Sequence, residues 1–181
     1  MANHVEVVAC DAAAAHIVRN LYPLYLHDLS EFSGEVPNRH GVLEPDSDVR
    51  TLAAQGELPY QTIWWRKPGV LFPFLVLADA APAGFALVAT GPHAPAGVGV
   101  CVQEFFIVRA HRGSGVAERA AADVLGRFGG RWEVSVLPRN ERAKRFWRRT
   151  IARHTGGRFE EIAGDAAAGA LHAFQFESVR P

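Results

Sequence analysis

The sequence predicts a single α/β domain whose mixed, mostly antiparallel sheet is flanked by helices. The chain has 181 residues, the size of one ordinary domain, so residues 1–181 are expected to form a single domain. Short runs rich in Val and Phe alternate with segments whose apolar residues recur at helical spacing. Their order is a strand, helices, three consecutive strands, a helix, a strand, a helix and two strands. This order combines hairpins with one strand–helix–strand crossover, which excludes a fully parallel sheet.

The first elements are a strand and a helical segment. His4 to Ala9 alternates as a strand does, and Asp11 is placed to cap the helix that follows. Pro23 is expected either to kink that helix or to open a second one as its first residue. The helical stripe consists of Val18, Leu21, Tyr22, Tyr25, Leu29 and Phe32.

A long connection follows from Ser33 to Leu71, and its only helical candidate is Asp46 to Ala54. Long connections often shape a binding site. The apolar segments Leu71 to Leu77 and Gly84 to Thr90 predict a β-hairpin with its turn around Ala81 to Ala83.

The second half alternates regularly between strands and helices. The expected elements are a strand Val100–Val108, a glycine turn Gly113–Gly115, a helix to about Phe128, a turn Gly129–Gly130, a strand Trp132–Leu137, a helix from about Asn140 to His154, a strand near Arg158–Ile162 and a final strand Leu171–Glu177.

Composition excludes several classes of partner. Nineteen basic residues balance nineteen acidic ones, so nothing indicates binding to nucleic acid or to an anionic membrane. The first residues lack a signal-peptide pattern, and no apolar run approaches the ~20 residues that cross a bilayer, which together predict a cytoplasmic protein. Cys10 and Cys101 are expected to be buried free thiols. No His residues stand at metal-ligand spacing, so no metal is expected.

Residues 105–117 read FFIVRAHRGSGVA, a buried strand that enters a basic, glycine-spaced turn and then a helix. Gly113 and Gly115 allow close approach of a ligand to the backbone, and the helix N-terminus favours an anion such as a diphosphate. A glycine turn is also a common means of chain reversal. A dinucleotide-binding fingerprint would need a third glycine where Glu118 stands, and a P-loop would need Lys and Ser or Thr in place of Val116 and Ala117.

A second motif follows the next strand: N-E-R-A-K-R-F-W, residues 140–147. Together the two segments resemble the GCN5-related N-acetyltransferase (GNAT) superfamily, which has a Q/R-x-x-G-x-G/A turn and a later N-x-x-A-x-x-hydrophobic-Tyr helix. The resemblance covers about Val100 to Ile151. It implies a GNAT-like acyl-CoA N-acyltransferase fold and acetyl transfer from acetyl-CoA to an amine of a small molecule or peptide.

The resemblance also implies where the cofactor binds. The diphosphate would be bound at the turn, the pantetheine arm would lie along the central strand, and the start of the later helix would line the arm. The cofactor-binding residues implied are Arg112, Gly113, Ser114, Gly115, Val116 and Ala117 at the turn, Phe106, Ile107 and Val108 on the strand, and Asn140, Ala143 and Trp147 on the helix.

Two positions depart from the family pattern. Ala110 replaces the first Gln or Arg of the turn motif, and the neighbouring Arg109 is its nearest substitute. Trp147 replaces the Tyr that commonly protonates the leaving thiolate, and an indole is not a proton donor near neutral pH. No general acid is therefore assigned.

Glu104, on the strand beside the expected thioester, is the candidate catalytic base, acting through a water. The alternative interpretation is that Glu104 has no catalytic role and either faces solvent or forms a salt bridge on the strand. A backbone NH near Phe106 or Ile107 is the expected oxyanion donor. The candidate acceptor-binding residues are Tyr22, Tyr25, Asp28 and Trp65, with Tyr60 and Trp64 in the same aromatic run; these side chains could equally fill a core or a homodimer contact.

The sequence leaves three hypotheses: an acetyl-CoA-dependent N-acetyltransferase, a catalytically silent acyl-CoA-binding regulatory module, and a dinucleotide enzyme. The first agrees best with both motifs, the second is motivated by Ala110 and Trp147, and the turn sequence disfavours the third.

Overall fold

A computed structural model describes residues 4–179 of the chain. Seven strands form one sheet in the order β1-β2-β3-β4-β5-β7-β6, and all neighbours are antiparallel except β4 and β5. The elements are β1 Val5–Ala9, α1 Ala15–Ser33, α2 Leu52–Gly56, α3 Pro59–Thr62, β2 Leu71–Ala78, β3 Ala81–Thr90, β4 Val100–Ile107, α4 Val116–Gly126, β5 Gly130–Val136, α5 Glu141–Thr155, β6 Glu160–Ile162 and β7 His172–Ser178. The predicted mixed, mostly antiparallel sheet with flanking helices is confirmed.

The helices cover both faces of the sheet, and each face has its own core. On one face α4 and α5 bury Val124 and Ile151 against Trp132 and Phe174. On the other face α1 and the segment that contains α2 and α3 pack against Phe85, Leu87 and Phe106. The aromatic side chains make large contributions to both cores, since each buries about 150–250 Å² of surface.

The central strands β4 and β5 separate soon after they meet. Their parallel pairing covers three positions and ends where Val102 lies opposite Val134. Beyond that point β5 remains paired with β7, and β4 remains paired with β3 as far as Ile107. The edge of β4 that faces β5 is therefore open from Gln103 onward.

A β-bulge lies where this separation begins. Leu87 of β3 pairs with Glu104 and Val88 pairs with Val102, so Gln103 has no partner across the ladder. Bulges of this kind bend a strand and re-aim side chains, and they are frequent beside active sites.

Two local predictions are wrong, and one alternative is excluded. Pro23 lies inside a single helix α1, so of its two predicted effects the opening of a second helix is excluded. The predicted helix Asp46–Ala54 begins only at Leu52, because the Thr51 hydroxyl accepts a hydrogen bond from the Ala54 amide and caps the helix there. The hairpin turn is at Asp79 and Ala80, both of which have a left-handed backbone.

Asp11 caps a turn rather than the helix itself. Its carboxylate accepts from the Ala14 amide at 2.9 Å, whereas α1 starts one residue later, at Ala15. Cys10 and Cys101 are buried free thiols, as expected. Within residues 4–179, no helix combines the length and the apolar character that crossing a membrane requires.

Candidate active site

Two tyrosines of α1 hold the carboxylate of Glu104. The Tyr25 hydroxyl donates to Oε2 and the Tyr22 hydroxyl donates to Oε1, the latter at 3.3 Å. Tyr22 and Tyr25 are three residues apart on a helix and so point to the same side. Glu104 therefore faces α1 and the interior, contrary to the alternative of a solvent-facing or salt-bridged strand residue.

Burial raises the pKa of Glu104 to about 8, although the hydrogen bond from Tyr22 favours the ionised form and opposes the shift. Burial also raises the pKa of Tyr22, which stays a neutral phenol. A carboxyl group with this pKa exchanges protons readily near neutral pH, which is the property required of a general base.

Glu104 and Gln103 line two cavities. The first, here the splay cavity, has a volume of about 370 Å³ and lies where β4 and β5 separate. The second, here the aromatic cavity, has a volume of about 330 Å³ and lies between β4 and the segment that contains α3. Glu104 therefore borders both cavities.

The splay cavity is bounded by β4, β5, the start of α5 and one side of α1. The predicted residues Asn140, Ala143 and Trp147 line it, as does Tyr25. The Asn140 side chain accepts from the Ala143 amide at 2.9 Å and so caps α5. Trp147 is only 4% exposed and packs edge-on against Phe105, with ring centroids 5.2 Å apart.

The register of β4 determines which backbone groups face the splay cavity. The Val108 amide donates to the Ala83 carbonyl at 2.9 Å and therefore points toward β3. Phe106 lies two residues earlier, opposite Phe85, so its backbone groups also point toward β3. Backbone groups alternate along a strand, so those of Phe105 and Ile107 point to the open edge. Of the three predicted strand residues, Ile107 alone is placed to present its NH there.

The glycine turn has the expected backbone conformation. Gly113 and Gly115 have φ of +73° and +85°, and a Cβ built at either position would have no heavy atom within 4 Å. Gly115 immediately precedes α4, whose first-turn NH groups have no intrahelical acceptor, as in any α-helix. Ser114 donates to the His111 carbonyl at 2.6 Å and closes the turn. Open space at the two glycines, first-turn amides without intrahelical acceptors and a positive helix end fit the diphosphate of CoA.

Asp28 is engaged at this turn rather than in the aromatic cavity. Its Oδ1 accepts from Arg109 at 2.7 and 3.1 Å, and its Oδ2 accepts from Arg112. Burial opposes ionisation of Asp28, but the bonds from Arg112 and Arg109 outweigh it and lower the pKa. Arg112 also donates to the Ile107 carbonyl at 2.8 Å, so one guanidinium connects α1, β4 and the turn.

The other predicted acceptor residues divide between two environments. Tyr22 lines the aromatic cavity and Tyr25 the splay cavity, whereas Trp65 donates to the Cys10 carbonyl at 2.9 Å and lines neither. Tyr60 and Trp64 line the aromatic cavity instead. His93 and Gln103 also line it and were not predicted. His93 lies in the loop between β3 and β4 and Gln103 lies at the bulge, and neither position has a recognisable sequence pattern.

Among residues 4–179, no group of three or more His, Cys, Asp or Glu side chains is arranged to hold a metal ion.

Comparison with known proteins gives the class to which this architecture corresponds. No protein-family model matches the sequence, and no curated protein matches it significantly. Solved structures described as GNAT proteins, however, superpose on nearly the whole chain, so the chain has the GNAT acetyltransferase fold.

Three further solved structures illustrate the similarity. A Corynebacterium glutamicum structure described as histone acetyltransferase HPA2 and related acetyltransferase has a TM-score of 0.66 at 14% identity, covering 98% of each chain. An acetyltransferase from Thermus thermophilus has a TM-score of 0.63 at 16% identity, covering 97% of this chain and 98% of the other. Mycobacterium smegmatis RimJ in complex with CoA-disulfide has a TM-score of 0.59 at 16% identity, covering 96% and 81%.

Proposed function

We propose that the protein is an acetyl-CoA-dependent N-acetyltransferase in which an amine of a small molecule or peptide attacks the thioester directly within a ternary complex. The observation that carries the proposal is the position of Glu104 between the splay cavity and the aromatic cavity. Two cavities that meet at one titratable carboxyl group allow both substrates to be bound at once.

Direct attack is favoured over a covalent acyl-enzyme. The chain has only two cysteines, and burial raises the pKa of Cys10 to about 11 and also raises that of Cys101. A thiol that resists ionisation is a poor nucleophile.

Glu104 removes the proton from the acceptor. An amine of pKa ~10.4 is neutral in only about one molecule in a few thousand at pH 7, a handicap of roughly 4 to 5 kcal/mol. The ionised carboxylate binds the ammonium and then takes its proton, directly or through a water. As the amine nitrogen bonds to the thioester carbonyl carbon, the carbon–sulfur bond breaks, and the second proton of that nitrogen passes through water to the departing thiolate. Tyr22 and Tyr25 orient the carboxylate during this step.

The remaining cofactor residues bind and orient. When bound, acetyl-CoA supplies the activated acetyl group. The NH groups from Gly113 to Ala117 bind its diphosphate, Arg112 adds positive charge, and Ile107 presents a backbone NH to the thioester carbonyl oxygen. Asn140, Ala143 and Trp147 form the opposite wall of the splay cavity. RimJ, which shares the fold, was solved with a CoA-disulfide bound, which supports a CoA ligand.

The test combines binding and turnover. Acetyl-CoA at tens of micromolar is expected to raise the melting temperature and to bind in calorimetry, because a ligand well above its Kd stabilises the native state. Free-thiol release should then depend on an added amine drawn from a panel of arylalkylamines, polyamines, aminoglycosides, amino acids and peptides. Intersecting double-reciprocal plots would support the ternary complex, whereas parallel plots would contradict it.

A silent acyl-CoA-binding module is the second candidate, favoured by one observation. Trp147 occupies the position of the usual proton donor and is buried against Phe105. Binding of acetyl-CoA with no thiol release for any amine would support this candidate, and amine-dependent release would eliminate it.

A further inference from the structure

The aromatic cavity is lined by three polar side chains of β4 and the loop before it and by a larger set of aromatic and aliphatic ones. The polar side chains are those of Gln103, Glu104 and His93, and the Gln103 side chain donates to the His93 carbonyl at 3.1 Å. The aromatic and aliphatic side chains are those of Tyr22, Tyr60, Ile63, Trp64, Leu71 and Ala89.

Among the described residues that line this cavity, Glu104 supplies the only carboxylate. Glu44 lies behind the wall, where its carboxylate accepts from the Tyr60 hydroxyl at 2.7 Å and from Gln55 at 3.4 Å. Tyr60 itself stays uncharged, because burial raises its pKa to about 12. A second ammonium of a polyamine or aminoglycoside would therefore have no free counter-charge in the cavity, and its desolvation would be costly.

The volume suits a ring-sized apolar group. A protein cavity of about 150 Å³ lined by apolar side chains holds benzene. The aromatic cavity, at about 330 Å³, leaves room beside a ring for the two or three atoms that connect it to an amine at Glu104. The rings of Tyr22 and Tyr60, with centroids 6.0 Å apart, provide aromatic contacts on one wall.

We propose that the acceptor is a primary monoamine of the arylalkylamine type, whose amine lies at Glu104 and whose ring lies between Tyr60 and Trp64. This inference rests on the proposed function and specifies its acceptor class. An acceptor with one positive charge would distinguish the protein from acetyltransferases whose acceptors carry several.

The first experiment compares acceptors with the full chain and saturating acetyl-CoA. The value of kcat/KM for 2-phenylethylamine is expected to exceed that for ethylamine and for spermidine by about ten-fold or more. Equal values, or a preference for spermidine, would overturn the arylalkylamine assignment while leaving the acetyltransferase proposal intact.

The second experiment removes the ring contact. Tyr60 is 40% exposed, so Tyr60→Ala is expected to fold. The variant should lose about ten-fold in kcat/KM for 2-phenylethylamine, keep its KM for acetyl-CoA and change little with ethylamine; Tyr60→Phe should restore the preference for the ring. Leu52→Ala, at an exposed position that lines neither cavity, is the matched control. An equal loss with both amines would contradict the proposed position of the ring.

A binding measurement separates this inference from the proposed function. In the presence of CoA, 2-phenylethylamine is expected to bind in calorimetry, and binding should weaken in Tyr60→Ala. Binding without turnover would support the ring site and count against the enzyme. Absence of binding by the unsubstituted chain would overturn the ring site.

Discussion

The hydroxyl of Tyr25 donates a hydrogen bond to Oε2 of Glu104, across a sequence separation of 79 residues. Tyr25 also lines the splay cavity, so its phenol is the point at which α1 contacts both the proposed base and the proposed cofactor site. Tyr22, one helical turn earlier, holds the other carboxylate oxygen and faces the aromatic cavity. The two phenols fix the direction of the carboxylate between the two substrates.

Replacement of Glu104 tests the proposed base. Glu104→Gln is expected to lower kcat by about 100-fold, within the usual contribution of a general base, with little change in acetyl-CoA affinity. Because the base acts when ionised and its pKa in the free protein is about 8, wild-type kcat/KM for the acceptor should rise with pH through that value, and this component of the rise should be absent in the variant. An unchanged rate between pH 6 and 9 would remove Glu104 from the mechanism.

Tyr22→Phe should shift the same pH profile. The hydrogen bond from Tyr22 favours the ionised form of Glu104 and lowers its pKa, so removing the hydroxyl raises that pKa further. We expect kcat/KM for the acceptor to be lower than wild type at pH 7 and to approach it above pH 9. The midpoint of the Glu104-dependent rise of kcat/KM with pH gives the measurement, and a shift toward lower pH would contradict the proposed hydrogen bond.

Stability should depend on the ionisation of Glu104. Its pKa is higher in the folded state than the ~4.3 of an unfolded chain, so the folded state binds more protons between these values and loses stability as pH rises from about 4.5 to 8. Glu104→Gln removes this loss. The melting temperature of the variant minus that of wild type is expected to grow between pH 5 and 8.5; a constant difference would show that the folded pKa is not raised.

The glycine turn can be tested with a matched pair of substitutions. Gly115 and Gly157 have φ of +85° and +84°, and a Cβ at either position meets open space. Valine should cost about 1–2 kcal/mol at both, which lowers the melting temperature by several degrees. Gly115→Val alone should abolish acetyl-CoA binding in calorimetry, because the branched side chain obstructs approach to the turn. Normal affinity in folded Gly115→Val would refute the role of the turn.

The sequence predicted the elements that depend on local pattern. The strands β4 and β5, the turn at Gly113–Gly115 and the Asn140 cap all have local signals, and all are present. Pro23 was harder to interpret, since its effect on the helix depends on packing along the whole of α1.

The acceptor side was less predictable, because it forms by long-range packing. The carboxylate of Asp28 could bind an amine, but Arg109 and Arg112, just before the glycine turn, already donate hydrogen bonds to it. Trp64 and Trp65 are adjacent in sequence, and only the course of the chain around α3 decides that Trp64 lines the cavity while Trp65 binds the Cys10 carbonyl.

The bulge at Gln103 determines which face of β4 carries Glu104. Side chains alternate across a regular strand, so if Gln103 took a place in the ladder, Glu104 would share a face with Val102 and point toward α4 and α5, away from both tyrosines. Chemistry at this centre thus depends on the bulge itself, which lets Val102 and Glu104 oppose consecutive residues of β3 although one residue separates them.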